Sequence, residues 1–242
     1  MAEDPKQRPP GAAALWKFLS RVKEIDRKEV SGGGLSEELE HLRDWQSRRL
    51  AFTHADLMEN KRFRPAMDFF LEELYGPKDF SQRDADVERI YPIMVRVLPD
   101  KALTSIAQAM ELNALSHDLD AELLEQLEAL GAARDITEAA YTEAYRRCDN
   151  HDSRVRQIDL IERLGTQLDH LVRHRFIRTA LRLARGPAHS AGFGELQGFL
   201  ERGYSAFHQM KDGEAFIKTI VERERDLLER IYAGESRPFG MD

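Results

Sequence analysis

The apolar residues of this chain recur at helical spacing along most of its length, and this pattern constrains the fold most. After residue 14, for example, Leu15, Phe18, Leu19, Val22 and Ile25 are three or four positions apart, as on one face of an amphipathic helix. No stretch shows the alternation of β-branched and polar residues that marks a strand, and no Asn-Gly or Asp-Gly turn joins two apolar runs. The sequence therefore predicts an all-α fold.

The helical segments are expected to form one multi-helix bundle of about eight to ten helices, judged from the usual helix length. A long central helix is predicted over 100–130, with a break near Ser116 as an open alternative. The domain boundaries follow from composition. They are a disordered N-terminal tail at 1–14, a short helix and glycine-rich linker at 15–34, an all-helical domain at 35–234 and a C-terminal tail at 235–242. The glycine linker "SGGG" suggests that the N-terminal helix is only loosely attached.

Composition excludes several classes of protein. The single cysteine, Cys148, rules out an internal disulfide and suits a reducing compartment. No apolar run approaches the roughly 20 residues that cross a bilayer, and the first residues lack the apolar stretch of a secretory signal. With a net charge of −7, the surface as a whole is not expected to bind nucleic acid. We therefore expect a cytoplasmic protein without a transmembrane segment.

The stretch "PAMDFFLEELYGPKDFS", residues 65–81, predicts a helix that is apolar over more than half of its circumference. Its core stripe consists of Phe63, Met67, Phe70, Leu71 and Leu74, while Phe69 and Tyr75 lie on opposite sides of that stripe. Either neighbouring helices cover both sides, or an aromatic edge meets a partner. The first interpretation is favoured, because large exposed apolar patches are uncommon on soluble monomers.

The run "FFLEELYGP", followed by "DFSQRDADVERIYPIMVRVLP", resembles the signature of an uncharacterised bacterial family, the FFLEELY motif proteins. The motif is literal from Phe69 to Tyr75, and the elements "YGP" and "RDADVERIYP" extend the resemblance to about Pro99. The resemblance implies a bacterial, cytoplasmic protein. It implies no activity, cofactor or catalytic residue, so it gives no residue a function.

Polar residues within apolar stripes are the best remaining candidates for a site, because burying an unpaired charge is costly. Glu224 lies near the centre of the apolar stripe of the last predicted helix. The favoured interpretation is a buried ion pair, with Arg49 as the first choice of partner. The alternative is a carboxylate that transfers protons or binds a metal.

His117, Glu143 and Glu73 extend this candidate site. His117 continues an apolar stripe if the helix over 100–130 is unbroken, whereas it is exposed if "SHD" forms a turn. Glu143 lies near Ile136 and Ala140 on the helical wheel, although a competing buried face exists, and Glu73 lies at the margin of its helix's stripe. If these residues meet Glu224 and Arg49, they form a polar pocket inside the bundle.

Two pairs of residues have spacings typical of metal ligands, but neither makes a site. Glu38 and His41 form a single Glu-x-x-His, whereas di-metal bundles carry this motif on two helices. His170 and His174 share a helical face, but it is the polar face. We therefore assign no metal site and no catalytic residue, and the sequence leaves the cofactor unknown.

An arginine-rich segment lies in this acidic chain, since no acidic residue occurs from His170 to Gly194. Arg175, Arg178, Arg182 and Arg185 share one face of a predicted helix. The favoured interpretation is intramolecular and pairs them with acidic helices of the same chain, such as the one that carries Glu222, Glu224 and Asp226. The alternative is a binding face for an acidic protein or another anionic ligand.

Two functional hypotheses from different classes follow. The first is a non-enzymatic helical binding or adaptor protein that uses the arginine-rich face and the aromatic helix at 63–75. The alternative is a metal- or haem-dependent helical-bundle enzyme, comparable to haem-oxygenase-like or ferritin-like proteins by architecture alone. The sequence decides neither whether the chain is an enzyme nor its oligomeric state.

Overall fold

The computed structural model describes residues 9–31, 36–73, 81–211 and 213–241, and these ranges contain eleven α-helices and no strand. The predicted all-α class is confirmed. The helices are α1 (Pro10–Ser31), α2 (Glu37–Thr53), α3 (Ala55–Glu59), α4 (Arg64–Glu73), α5 (Ser81–Val97), α6 (Asp100–Ala129), α7 (Glu138–Arg147), α8 (His151–Val172), α9 (Arg175–Ser190), α10 (Gly194–Met210) and α11 (Gly213–Tyr232). None of the helices in these ranges combines the length and hydrophobicity of a membrane span.

The central helix α6 runs for 30 residues without a break. Neither glycine nor proline interrupts it, and both of its faces are apolar, so that α1, α2, α5, α7 and α8 all pack against it. One face buries Leu103 and Met110, and the other buries Leu119 and Leu123. Ser116 is therefore helical, and the residues after it belong to the same helix.

Three groups of buried apolar side chains stabilise the bundle. The largest joins α4, α8, α10 and α11 around Phe216 and Met210. A second, around Trp45 and Tyr141, joins α2, the end of α6 and α7. The third joins α1, α5 and the first half of α6 around Leu15. The helices between these groups also bring several polar side chains inward, and these form the site described below.

The N-terminal helix corrects two expectations. It begins at Pro10, so residues 10–14 belong to a helix and not to a disordered tail. It is also firmly packed, because its buried residues lie against α5 and α6. The Tyr91 hydroxyl donates to the carbonyl of Ala12 at 3.0 Å, and the Gly11 N–H donates to Asp100 Oδ1 at 2.8 Å. The rest of the predicted tail, 1–8, and the linker at 32–35 lie outside the described residues.

The end of the chain is fixed by one buried glutamate at the start of α7. Glu138 accepts hydrogen bonds from the backbone N–H groups of Phe239, Gly240 and Met241, at 2.7, 3.2 and 2.8 Å. The ring of Phe239 thereby packs edge-on against Trp45. The predicted C-terminal tail is thus part of the packed structure over residues 239–241.

The described part of the FFLEELY segment lies between neighbouring helices. Phe69 is buried on α4 against Phe199 and the backbone of Gly203, and Phe70 packs against Phe216. This is the arrangement favoured from the sequence for these two rings. Residues 74–80, which complete the motif, lie outside the described residues.

Candidate functional site

A polar cavity of about 100 Å³ lies in the middle of the bundle, where α2, α4, α6, α7, α8 and α11 meet. One part of its wall is apolar and consists of Leu50, Met67, Phe70, Leu71, Ile158, Ile161 and Ile220. The rest is polar and consists of Arg43, Gln46, Arg49, His54, Asn113, Ser116, His117, Asp120, Tyr141, Tyr145, Arg154, Gln157 and Glu224. Since charged groups are rarely buried without a partner or a function, this polar cavity is the first candidate site.

Arg49 and Glu224 form an ion pair at one side of the polar cavity. Nη1 of Arg49 donates to Oε1 and Oε2 of Glu224 at 2.6 and 2.7 Å, and the side chains are only 12% and 17% exposed. Burial is the largest single effect on Arg49 and opposes its charge, but the attraction and hydrogen bonds of Glu224, together with Tyr141 and Tyr145, outweigh burial and raise the pKa of the guanidinium. The Arg49 guanidinium is therefore charged, and Glu224 is the partner that was predicted first for it.

His54, at the end of α2, is fully buried beside this pair. Its Nδ1 lies 3.1 Å from the carbonyl oxygen of Leu50, which can only accept, so the proton is assigned to Nδ1. Nε2 lies 3.8 Å from Glu224 Oε1 and has no hydrogen-bond partner among the described residues. Burial lowers the pKa of His54, and the attraction of Glu224 offsets this only in part. The imidazole is therefore neutral at pH 7 and presents an unprotonated nitrogen.

On the α6 side of the polar cavity, a second charged pair forms with weaker geometry. Nε of Arg43 lies 3.8 Å from Asp120 Oδ2, and the amide of Gln46 donates to Asp120 Oδ1 at 3.0 Å. Nη2 of Arg43 is 3.2 Å from His117 Nδ1. Because α6 is continuous, His117 is half-buried on the cavity wall, which settles the alternative of an exposed turn.

Arg154 on α8 differs from the other arginines of the polar cavity, because no described carboxylate pairs with it. The residue is only 4% exposed. Nη2 donates to the carbonyl of Leu119 at 3.3 Å, and the guanidinium lies 4.3 Å from the centre of the Tyr145 ring. Its Nε has no hydrogen-bond partner in the described part of the chain. Arg154 is therefore a buried cation with a donor to spare.

The structure brings three of the five predicted site residues together: Glu224, Arg49 and His117 line the polar cavity. Placing Glu143 there was wrong. It lies on the outer side of α7, where Arg146 and Arg147 both donate to it at 2.8 Å.

Placing Glu73 in the polar cavity was also wrong. This carboxylate is buried on α4, but it accepts from Arg202 of α10 at 3.0 Å and lies away from the polar cavity.

Arg154 and His54 also line the polar cavity, but neither was predicted as a site residue, although both lie on apolar stripes of the sequence. Arg154 precedes Ile158 and Ile161 by four and seven positions, so it lies on the apolar stripe of α8. His54 follows Leu50 by four positions and precedes Leu57 by three. A polar residue at such a position is the signal that had identified Glu224, and it could have identified these two as well.

The arginine-rich segment forms a second candidate site on the surface, between α9 and α10. We call it the arginine groove; its volume is about 410 Å³, and its walls are Arg173, Arg175, Arg178, Thr179, Arg182, Tyr204 and His208. Arg173 pairs with Asp169 of α8. The other three arginines of the groove have no ion-pair partner among the described residues.

Among the described residues, the expected intramolecular pairing is found for only one arginine of this face, Arg185, and the example given for its partner, the last helix, was wrong. Glu224 pairs with Arg49, Asp226 with Arg230 and Glu222 with Lys218. Arg185 pairs instead with Glu201 of α10, at 2.6 Å from Nη2 to Oε2, and does not line the arginine groove. The four predicted arginines therefore split into one paired residue and three that face the groove.

Metal-ligand geometry is not found in the described ranges, where no three His, Cys, Asp or Glu side chains come close enough to share an ion. Glu38, half of the Glu-x-x-His motif, binds Arg134 instead. Cys148 is half-buried, and burial raises the pKa of its thiol, so the sulfur is protonated at pH 7.

Neither the search of curated proteins nor that of solved structures gave a match. The sequence matches a family defined as a domain of unknown function, DUF8198, over residues 26–238. That range includes every residue of the polar cavity and of the arginine groove. The chain therefore belongs to the DUF8198 family, and both candidate sites lie within the family's domain.

Proposed function

We propose that this protein is a non-enzymatic binding protein that captures an acidic segment of a partner protein in the arginine groove. The observation that carries the proposal is the set of three arginines on α9, Arg175, Arg178 and Arg182, that face one groove without a described carboxylate partner. The composition and the FFLEELY motif support a bacterial, cytoplasmic setting for this role.

The chemistry of the arginine groove favours carboxylates. A guanidinium is a planar fork of N–H donors that matches the two oxygens of a carboxylate. The volume of about 410 Å³ is within the range of roughly 300–1,000 Å³ that is usual for ligand sites. The stacked rings of Tyr204 and His208, with centres 5.2 Å apart, form a flat wall along which a peptide can lie.

The other side of α9 favours a protein partner over nucleic acid. No residue of this helix is buried, and Phe176 and Leu183 are 68% and 73% exposed. Large side chains of this kind supply much of the energy at protein interfaces when a partner covers them. A peptide segment with acidic and apolar residues would pair with the arginines on one side of α9 and cover the apolar side chains on the other. A nucleic-acid backbone would supply only negative charge. The net charge of −7 also opposes nucleic acid.

The aromatic helix α4 has no part in this proposal, although the sequence had suggested one. Its rings Phe69 and Phe70 pack against Phe199 and Phe216 inside the bundle. A partner could reach them only if α10 or α11 moved away. The binding role is therefore assigned to α9 and its groove.

The test uses a fluorescein-labelled peptide of alternating glutamate and leucine, titrated with the protein while fluorescence anisotropy is recorded. We expect Arg178→Glu/Arg182→Glu to weaken binding at least tenfold, and we expect added salt to weaken wild-type binding because the contacts are exposed. The matched control is Arg96→Glu/Arg163→Glu, which changes the net charge equally at exposed residues elsewhere. Equal loss in both variants, or unchanged affinity in the groove variant, would contradict the proposal.

A further inference from the structure

The charges around the polar cavity do not balance. Among the described residues, three guanidinium groups line it, those of Arg43, Arg49 and Arg154, against the two carboxylates of Asp120 and Glu224. Arginine does not lose its proton in proteins, so these five groups carry a formal charge of +1, with the histidines left out of the count. Arg43 and Arg49 each face one carboxylate. Asp120 also attracts Arg154, but Arg154 makes no ion pair with a described carboxylate, so the excess positive charge is assigned to Arg154.

A buried cation without a counter-ion is costly unless something replaces the water it has lost. The Tyr145 ring and the Leu119 carbonyl supply part of that replacement for Arg154, but Nε is left without an acceptor among the described residues. Nε of Arg49 likewise has no hydrogen-bond acceptor among the described residues. A ligand that carries one negative charge and accepts hydrogen bonds would compensate the charge of Arg154 and accept from the Nε–H groups of Arg154 and Arg49.

The remaining walls indicate the rest of the ligand. The apolar side of the polar cavity is built from α4, α8 and α11 and includes Met67, Ile161 and Ile220. A cavity of about 150 Å³ accommodates benzene, so one of about 100 Å³ suits roughly four to six non-hydrogen atoms. We propose that the polar cavity binds a small monocarboxylate whose carboxylate pairs with Arg154 and whose short apolar chain lies against these walls.

Two other occupants fit less well. Buried water is common in polar cavities and would accept from the free N–H groups, but it leaves the charge of Arg154 uncompensated. Inorganic phosphate carries more than one negative charge near pH 7 and has no apolar part, so it matches neither the single excess charge nor the apolar wall. Water and phosphate are therefore outcomes of the test, not parts of the proposal.

The experiment measures thermal unfolding of the full chain and calorimetric binding with sodium propionate. Sodium chloride at equal ionic strength, propionamide and inorganic phosphate are run in parallel. A ligand that binds only the folded state raises its stability, so we expect propionate to raise the Tm in a saturable manner while chloride and propionamide have no such effect. Equal effects of propionate and propionamide, a stronger effect of phosphate, or no saturable response to propionate would each overturn the proposal.

Variants of Arg154 test whether propionate binds at this residue. Arg154→Met removes the uncompensated charge and keeps most of the side-chain volume; we expect the unliganded variant to be at least as stable as wild type and to lose the response to propionate. Arg154→Lys keeps the charge without the planar fork, and we expect at least tenfold weaker binding. Arg163→Met, at an exposed position of the same helix outside both candidate sites, is the control and should respond as wild type does. Undiminished propionate binding by Arg154→Met or Arg154→Lys would overturn the assignment to Arg154.

Discussion

Nη1 of Arg49 on α2 donates to both carboxylate oxygens of Glu224 on α11, at 2.6 and 2.7 Å. These residues are 175 positions apart in the chain, and among the described residues neither has another charged partner at hydrogen-bonding distance. Breaking a buried ion pair from one side leaves the other charge without compensation, which costs more than replacing both partners by apolar residues.

This pair gives the first prediction. Glu224→Leu should destabilise the fold by about 3–5 kcal/mol, because it leaves Arg49 buried and unpaired. The double variant Arg49→Met/Glu224→Leu should lose much less, so that the two changes are strongly non-additive. Urea unfolding of wild type, both single variants and the double variant measures this. Glu222→Leu on the same helix is the control, since its exposed side chain should change the stability by at most about 0.5 kcal/mol. Additive single effects would show that the pair is not coupled.

The second prediction concerns pH. Because burial lowers the pKa of His54 in the folded state, the unfolded chain takes up the proton first as the pH falls below about 6.5. The stability associated with neutral His54 is therefore complete above about pH 6.5 and declines at lower pH, with a limiting slope of about 1.4 kcal/mol per pH unit.

Urea unfolding between pH 7.5 and 5 tests the slope against a variant. His54→Gln should flatten the decline relative to wild type, because its side chain does not titrate. His170→Gln, at an exposed position of α8, should keep the wild-type slope. If wild type and His54→Gln lose stability in parallel, another group causes the decline.

The third prediction uses two glutamates of the same helix. Glu138→Ala removes the acceptor of three backbone N–H groups and should cost about 2 kcal/mol or more, since hydrogen bonds to charged groups are worth about 1.5–3 kcal/mol. Glu143→Ala removes only ion pairs that solvent screens and should cost much less than Glu138→Ala.

Hydrogen exchange separates a local effect of Glu138→Ala from a global one. The amides of Phe239 and Met241 should lose their protection in this variant, while those of α6 keep most of theirs. Freed from Glu138, Phe239 should also leave Trp45, which changes the tryptophan fluorescence. Protection at residues 239–241 that survives the substitution would show that other contacts fix the end of the chain.

The local features of this fold could be predicted from the sequence, because they depend on residues that are close together along the chain. Helix α6 was predicted at 100–130 and runs from Asp100 to Ala129, since an uninterrupted stretch with two apolar faces has few other ways to fold. Arg49 and Glu224 could be matched because each lies on or beside an apolar stripe, where an unpaired charge is costly.

The predictions that were wrong depend on which helix surfaces pack against each other, and the sequence does not show this. The wheel of α7 has two candidate inner faces, and only packing against Trp45 of α2 and against Phe239 shows that Tyr141 is inside and Glu143 outside. Similarly, the sequence shows an unbalanced arginine face on α9 but not which acidic residues lie near it. Glu201 rather than Glu222 meets that face, because α10 and not α11 is the neighbour.

The last prediction concerns the contact between the FFLEELY segment and α10. At Gly203 an added Cβ would lie 3.0 Å from Cζ of Phe69, a contact so tight that the Phe69 ring would have to shift by a few tenths of an ångström. Gly203→Ala should therefore destabilise the fold by about 1–3 kcal/mol through overpacking. Gly186→Ala on α9 is the matched control, because nothing lies within 4 Å of its added Cβ and alanine favours the helix by about 0.8–1.0 kcal/mol. Urea unfolding should give changes of opposite sign for these variants. A stabilising Gly203→Ala would mean that Phe69 moves aside without loss, and that the contact does not fix the position of α4.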